Sequence, residues 1–313
     1  MTLRLDLPPP NSIQTKLAIA IALAASVLLG LMPILIRLAE DYMSPNAVTF
    51  NRFWVIAVTI GAWQAISRLN PHHKQSPEFL SHSDTKIETN TKPLIAPLSV
   101  LAIAFVGTQL LWAWSLSQTA VANSEILHSL APGFTVLAGW LLFKQTFSRQ
   151  FLVGITIATI GAIAIGISDF SSSISLGGDG LALLSAVFWA AYFMSVEKLR
   201  SEFSPMAILL WASGTCTLLC LPAVLVAGDE ILPQFREGWI VLALLAFNTI
   251  VCHGSIAYTL KWLSSGLVAT ILLLSPILTA IMGWCLFSET LNPLNLLGFT
   301  IVLVGVYFAI AEK

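Results

Sequence analysis

Charge is what this sequence lacks. Only 10% of its 313 residues are Asp, Glu, Lys or Arg, and 57% are hydrophobic, whereas a soluble globular domain carries roughly 25% charged residues. Fifteen Lys and Arg with sixteen Asp and Glu cannot cover a water-exposed surface on a chain this long, so lipid is the solvent for much of it. The formal net charge of -1 offers no bulk field for nucleic acid. Cysteine is scarce too: Cys216, Cys220, Cys252 and Cys285 all lie in apolar runs, which implies neither a disulfide framework nor a zinc knuckle. Missing as well are H-E-x-x-H, G-x-S-x-G and any paired-aspartate constellation. The glycine-rich stretch at 177–180 has no lysine and hydroxyl to make it a phosphate loop. We therefore expect no cofactor, no metal and no enzymatic activity, with an intramembrane enzyme the weaker alternative.

Long apolar runs are abundant. A bilayer core of about 30 Å asks for roughly 17 to 25 apolar residues per helix. Runs of that kind occur at 17–38, 47–66, 94–116, 122–143 and 151–167, and again at 180–196, 206–226, 239–260, 266–287 and 294–310. The first outruns a signal peptide, whose apolar core is about 7 to 15 residues. One linker, 67–92, is long, polar and free of periodicity, and its His72, His73 and His82 read as solvated loop residues rather than metal ligands. Lys and Arg collect on cytoplasmic loops. With both termini inside, twelve of the fifteen basic residues become cytoplasmic, leaving Arg37, Arg52 and Arg236.

The chain also repeats itself. A shift of 144 residues pairs Leu130 with Leu274, Pro132 with Pro276, Thr135 with Thr279, Gly139 with Gly283, Trp140 with Trp284 and Gly161 with Gly305. Upstream a shift of 160 pairs Ser44-Pro45 with Ser204-Pro205, and the longer 67–92 loop accounts for the change of register. Five spans per half is an odd number, so the second half must enter the membrane from the opposite side. The expected fold is an all-α membrane protein with ten transmembrane helices as two inverted five-helix repeats, the plan from which many secondary transporters are built. Its parts would be a tail at 1–16, a first repeat at 17–167, a connection at 168–179 and a second repeat at 180–310.

This pattern resembles the EamA branch of the drug/metabolite transporter superfamily. Four features carry the likeness over nearly the whole chain: Phe50-Asn51-Arg52-Phe53 in the second span, the Pro132 and Pro276 pair, Phe287 through Leu291, and the glycines Gly298 and Gly305 that follow. In the first half Gln145 stands where the second half has Glu289. The resemblance implies a plasma-membrane secondary transporter, often an exporter, of small organic metabolites such as amino acids. The implied partners are the bilayer and that solute, with protons a candidate coupling ion and a homodimer allowed. A passive channel is the alternative.

Candidate pathway residues are the costly ones in apolar spans. An intramembrane ionisable group marks a pathway more often than not, which singles out Arg52, Glu125, His128 and His253. Snorkelling to the headgroups competes for Arg52, hydration at the outer interface for Glu125, and a polar helix contact for the histidines. On the fourth span, at 100° per residue, Glu125, His128, Pro132, Thr135 and Gly139 fall on one polar and small-residue face. Arg52 lies at a depth that permits an ion pair with Glu125. Pro132 and Pro276 free a backbone carbonyl that needs a cavity or a neighbour. Gln109, Trp112, Gly139 and Gly283 complete the set, the glycines as symmetric elements beside the prolines.

Overall fold

The computed structural model describes residues 12–69, 92–118, 121–168, 176–287 and 293–311. All regular structure among them is α-helical. The first half holds α1 (Ser12–Glu40), α2 (Pro45–Leu69), α3 (Lys92–Gln118), α4 (Val121–His128), α5 (Ala131–Phe143) and α6 (Arg149–Ser168). The second holds α7 (Leu176–Leu199), α8 (Pro205–Ala227), α9 (Arg236–Thr259), α10 (Ser265–Leu272), α11 (Ser275–Phe287) and α12 (Pro293–Ile310). Residues 70–91 of the polar linker and 288–292, with Glu289, lie outside the described residues.

Among the described residues five helices, α1, α3, α7, α8 and α9, are long and apolar enough to cross a membrane, and shorter apolar helices accompany them. Their outward faces carry side chains that water would not tolerate in such number. Leu142 is 74% exposed, Leu218 70% and Val226 89%, which is the surface expected against acyl chains.

The helix boundaries repeat as the residues do. α3, α4, α5 and α6 begin at 92, 121, 131 and 149, and α9, α10, α11 and α12 at 236, 265, 275 and 293, each 144 residues on. α2 and α8 begin at 45 and 205, 160 apart. Local chemistry explains the shared starts. Ser44 accepts a hydrogen bond from the Ala47 amide at 3.2 Å and Ser204 one from Ala207 at 3.2 Å. In each case the proline after the serine fills the first helical position, where its missing N–H costs nothing.

The expected fourth and ninth spans are each two helices, so no single helical face runs through either. Pro132 sits in the first turn of α5, and a proline ring both removes a donor and clashes with the carbonyl four residues back. That carbonyl belongs to His128, the last residue of α4; in the second half it belongs to Leu272, the last residue of α10. The chain turns at 129–130 and at 273–274 instead, with Leu130 bonded to Leu127 and Leu273 to Thr270 in tighter turns.

Helices of one half pack mainly on helices of the other. α3 lies along α7 and α1 along α9; α2 lies on α8 and α6 on α12. The last pair is the closest. A Cβ added to Gly305 would stand 2.3 Å from the Ala158 nitrogen, and one on Gly154 2.6 Å from the Ala309 nitrogen. Only glycine permits such an approach of two backbones, the small-residue packing that holds helices together in lipid.

Candidate translocation site

Breaking two helices at matched places opens a space between the halves. The cavity there holds about 60 Å³ in which a water molecule can be centred, room for roughly four to six waters. Its walls bring together Arg52, Gln109, Trp112, Glu125, His128, Pro132 and His253.

Arg52 of α2 is 3% exposed, and its Nη2 donates to Gln109 Oε1 on α3. The guanidinium carbon lies 4.3 Å from the centre of the Phe53 ring. A buried arginine needs several acceptors, yet its Nε has no hydrogen-bond partner. One helical turn beyond Gln109, Trp112 stacks on His128 with ring centres 5.3 Å apart and planes at 26°. The Trp112 Nε1 is likewise buried without a partner.

His128 ends α4 and is held from two sides. Its ring lies 5.9 Å from that of Trp189 on α7, and its Nδ1 lies 2.8 Å from Ser185 Oγ, also on α7. Ser185 already gives its one hydroxyl proton to the Ala182 carbonyl at 2.6 Å. The serine must therefore accept, so the imidazole carries its proton on Nδ1. Glu125, one turn earlier on α4, has an Oε2 that is buried and unpaired. Among the described residues Arg52 and Glu125 form no ion pair, although both line the cavity: Arg52 is directed to Gln109 instead.

His253 of α9 is 2% exposed and stands in an aromatic wall. Its ring meets Phe105 and Trp189 edge-on at 5.5 Å, and its Nδ1 lies 3.5 Å from the Tyr192 hydroxyl. Trp189 and Tyr192 stack at 5.1 Å and 8°. The rest of the lining is mixed: Leu29 and Met32 of α1, Ala269 and Leu272 of α10 and Leu273 are apolar, whereas Thr108, Ser129 and Ser275 are polar.

Three of the sequence candidates lie elsewhere. Pro276 is buried in the first turn of α11, beside the lining residue Ser275 but not in the wall. Gly139 packs against its own chain, where a Cβ would meet Gln145 Oε1 at 2.6 Å. Gly283 lies in α11 beyond the Ser275 end that reaches the cavity. The sequence argument missed Ser185 and Phe193. Both belong to a buried stripe on α7, Ser185, Trp189, Tyr192, Phe193 and Val196, whose helical spacing is the signal that could have found them.

A smaller recess adjoins the cavity. It reaches Glu40 and Pro45 at the ends of α1 and α2 and shares Arg52, Gln109 and Trp112 with the central wall. Those three side chains are thus a partition between the cavity and one end of the bundle.

Comparison with known proteins gives this geometry a setting. A sequence model of the EamA-like transporter family matches residues 16–167 and again 176–311. The chain is 22% identical to the uncharacterized inner membrane transporter YhbE of Escherichia coli, over 96% of this chain and 93% of that one. It is 27% identical to an uncharacterized transporter of Archaeoglobus fulgidus, over 69% of this chain and 76% of the other. The pseudopaline exporter CntI of Pseudomonas aeruginosa is 24% identical over 61% of this chain and 66% of its own. One crystal structure shares the fold with a TM-score of 0.73 at 14% identity, covering 94% of this chain and 97% of that one.

Proposed function

The chain belongs to the EamA-like transporter family of multi-pass membrane proteins, and from that premise we propose that it is a secondary transporter of small organic metabolites, amino acids among them, working by alternating access about the central cavity. In this reading the helices form ten spans, α4 with α5 and α10 with α11 counting as one each, arranged as two inverted repeats. Both termini face the cytoplasm of a plasma-membrane protein, and the direction is export.

The observation that carries the reading is the cavity itself. It is small, lies between two halves whose helix boundaries repeat, and gathers buried polar groups that lipid packing alone would not retain. Broken helices at matched positions support it further, because non-helical backbone at membrane depth persists where it lines a cavity. The partition of Arg52, Gln109 and Trp112 fits a gate on one side.

The test has two parts. Metabolite profiles of cells with and without the protein name the solute, and counterflow of that labelled solute is then measured in proteoliposomes. A carrier accelerates label exchange when unlabelled solute is present on the opposite side. Flux without such acceleration is the result expected of a passive channel, and it would sink alternating access.

A further inference from the structure

A second hollow lies on the outside of the bundle, away from the central cavity. It is an open groove of about 520 Å³ between α5 and the start of α6. Gly133, Val136, Leu137 and Trp140 line it from α5, at the spacing that places residues along one side of a helix, and Phe147 and Leu152 form the other side. Leu137 is 47% exposed and Trp140 61%. A Cβ on Gly133 would meet nothing within 4 Å, so the far end is open too. From Gly133 to the end of α5 at Phe143 the helix rises about 15 Å. That is the depth of one leaflet in a hydrocarbon core of about 30 Å.

The other end of the groove is polar and basic. Gln145 and Thr146 line it, and Lys144 and Arg149, both exposed, flank them in the chain. Lys144 ends α5 at φ 52°, the one non-glycine residue with a positive φ among the described residues. Glycine is the usual residue at such a helix end, so this corner keeps a lysine at a backbone cost that glycine would avoid. The corresponding positions of the second half are Ser288, Glu289 and Pro293, so the two positive charges belong to the first half alone. We propose that the groove seats an anionic phospholipid, with one acyl chain along α5 and its phosphate against Lys144 and Arg149. Basic pockets between spanning helices on the cytoplasmic side hold anionic headgroups in this way. A zwitterionic lipid would bring a second cation to the same corner, and a soluble anion would leave the apolar groove uncovered. The inference rests on the membrane setting of the chain and not on the solute or its direction.

Native mass spectrometry of the delipidated protein in detergent tests this. The probes are palmitoyl-oleoyl phosphatidylglycerol and phosphatidylcholine with the same two chains, and the readout is the first lipid bound. The parent should bind phosphatidylglycerol roughly ten times tighter or more, given about fivefold for each basic residue near the headgroup. Lys144→Gly and Arg149→Gln should each weaken phosphatidylglycerol about fivefold, and together about thirtyfold, with phosphatidylcholine unmoved. Lys144→Gly also relieves the left-handed backbone, so it should raise the thermal midpoint without lipid while it lowers the preference for phosphatidylglycerol. A purely structural lysine would not give both. Gly133→Leu fills the far end of the groove and should weaken both lipids alike; Leu137→Trp narrows the groove from an exposed position and serves the same purpose if Gly133→Leu fails to fold.

Equal affinity for the two lipids would overturn the proposal, as would a preference that survives the double change. Lys16→Gln combined with Lys198→Gln removes two exposed basic residues elsewhere on the chain and should leave the preference intact. An equal loss there would mean diffuse attraction in place of a site. Unchanged binding in both groove-filling variants would remove the acyl chain from α5. None of these readouts uses counterflow, so failure of the transport reading leaves them standing.

Discussion

Gly305 gives the sharpest test of how the two halves are held together. Its added Cβ would stand 2.3 Å from the Ala158 nitrogen, 2.7 Å from the Ala158 Cα and 2.7 Å from the Gly154 oxygen. All three are backbone atoms of α6, which cannot rotate out of the way as a side-chain tip can. Ordinary contact therefore requires α6 and α12 to part locally by about 1 Å, and a gap of 0.5 to 1 Å already forfeits a quarter to a half of each dispersion contact it opens. Overpacking of this kind costs typically 1 to 3 kcal/mol, so Gly305→Ala should destabilise by about that much. Gly214 of α8 is the control, since a Cβ there meets nothing within 4 Å. Gly214→Ala should be neutral or stabilising by about 0.5 to 1 kcal/mol, because alanine loses less backbone freedom in a helix. Thermal unfolding of the detergent-solubilised parent and both variants reads the difference. Equal midpoints for the two variants, or a higher one for Gly305→Ala, would refute the close backbone approach.

Three further outcomes are expected. In a cysteine-free variant, a single cysteine in the 67–92 linker should react with an impermeant maleimide only after cells are permeabilised; labelling of intact cells would reverse the orientation. Arg200 is 4% exposed and donates to the Ala257 carbonyl at 2.7 Å and to the Phe203 carbonyl, so Arg200→Gln should lower stability by roughly 1 to 3 kcal/mol. The exposed neighbour change Lys198→Gln should cost under about 0.5 kcal/mol, and equal effects would remove the anchoring role. Glu125→Gln and Arg52→Gln should each cut transport at least tenfold after correction for expression, while the charge-swapped double variant should not recover, because the two groups do not pair; recovery would show that they meet.

Much of this was legible in the sequence for a definite reason. The duplicated register survives in residues that lipid-facing drift does not supply, two prolines and a row of glycines, and these same residues fix helix starts and close contacts. The Ser-Pro pairs at 44–45 and 204–205 cap α2 and α8, and Gly305 and Gly161 sit in the α6 to α12 contact. Ionisable residues in apolar spans were equally visible, since each is costly in lipid unless it faces an interior. The helix breaks were not visible. A proline within a span is compatible with a bend, a kink or a stop, and only packing against the other half decides among them. That single uncertainty misplaced Gly139: the 100° arithmetic from Glu125 carries as far as His128 and is reset at Ala131. The Arg52 to Glu125 pairing failed differently. Equal depth does not imply contact when Gln109 stands closer.

The cavity shows what duplication supplied and what divergence added. Carried across at the same two shifts, fourteen of its nineteen lining positions pair off: Leu29 with Trp189, Pro33 with Phe193, Gln109 with His253, Glu125 with Ala269, His128 with Leu272, Ser129 with Leu273 and Ala131 with Ser275. Matched positions of the two halves thus share one wall, so the place of the site follows in good part from the repeated sequence. Its chemistry does not. Ala212, the counterpart of Arg52, and Ile256, the counterpart of Trp112, are buried apolar residues, and α10 offers Ala269 and Leu272 where α4 offers Glu125 and His128. The ionisable lining groups are thus unevenly shared: Arg52, Glu125 and His128 come from the first half and His253 from the second.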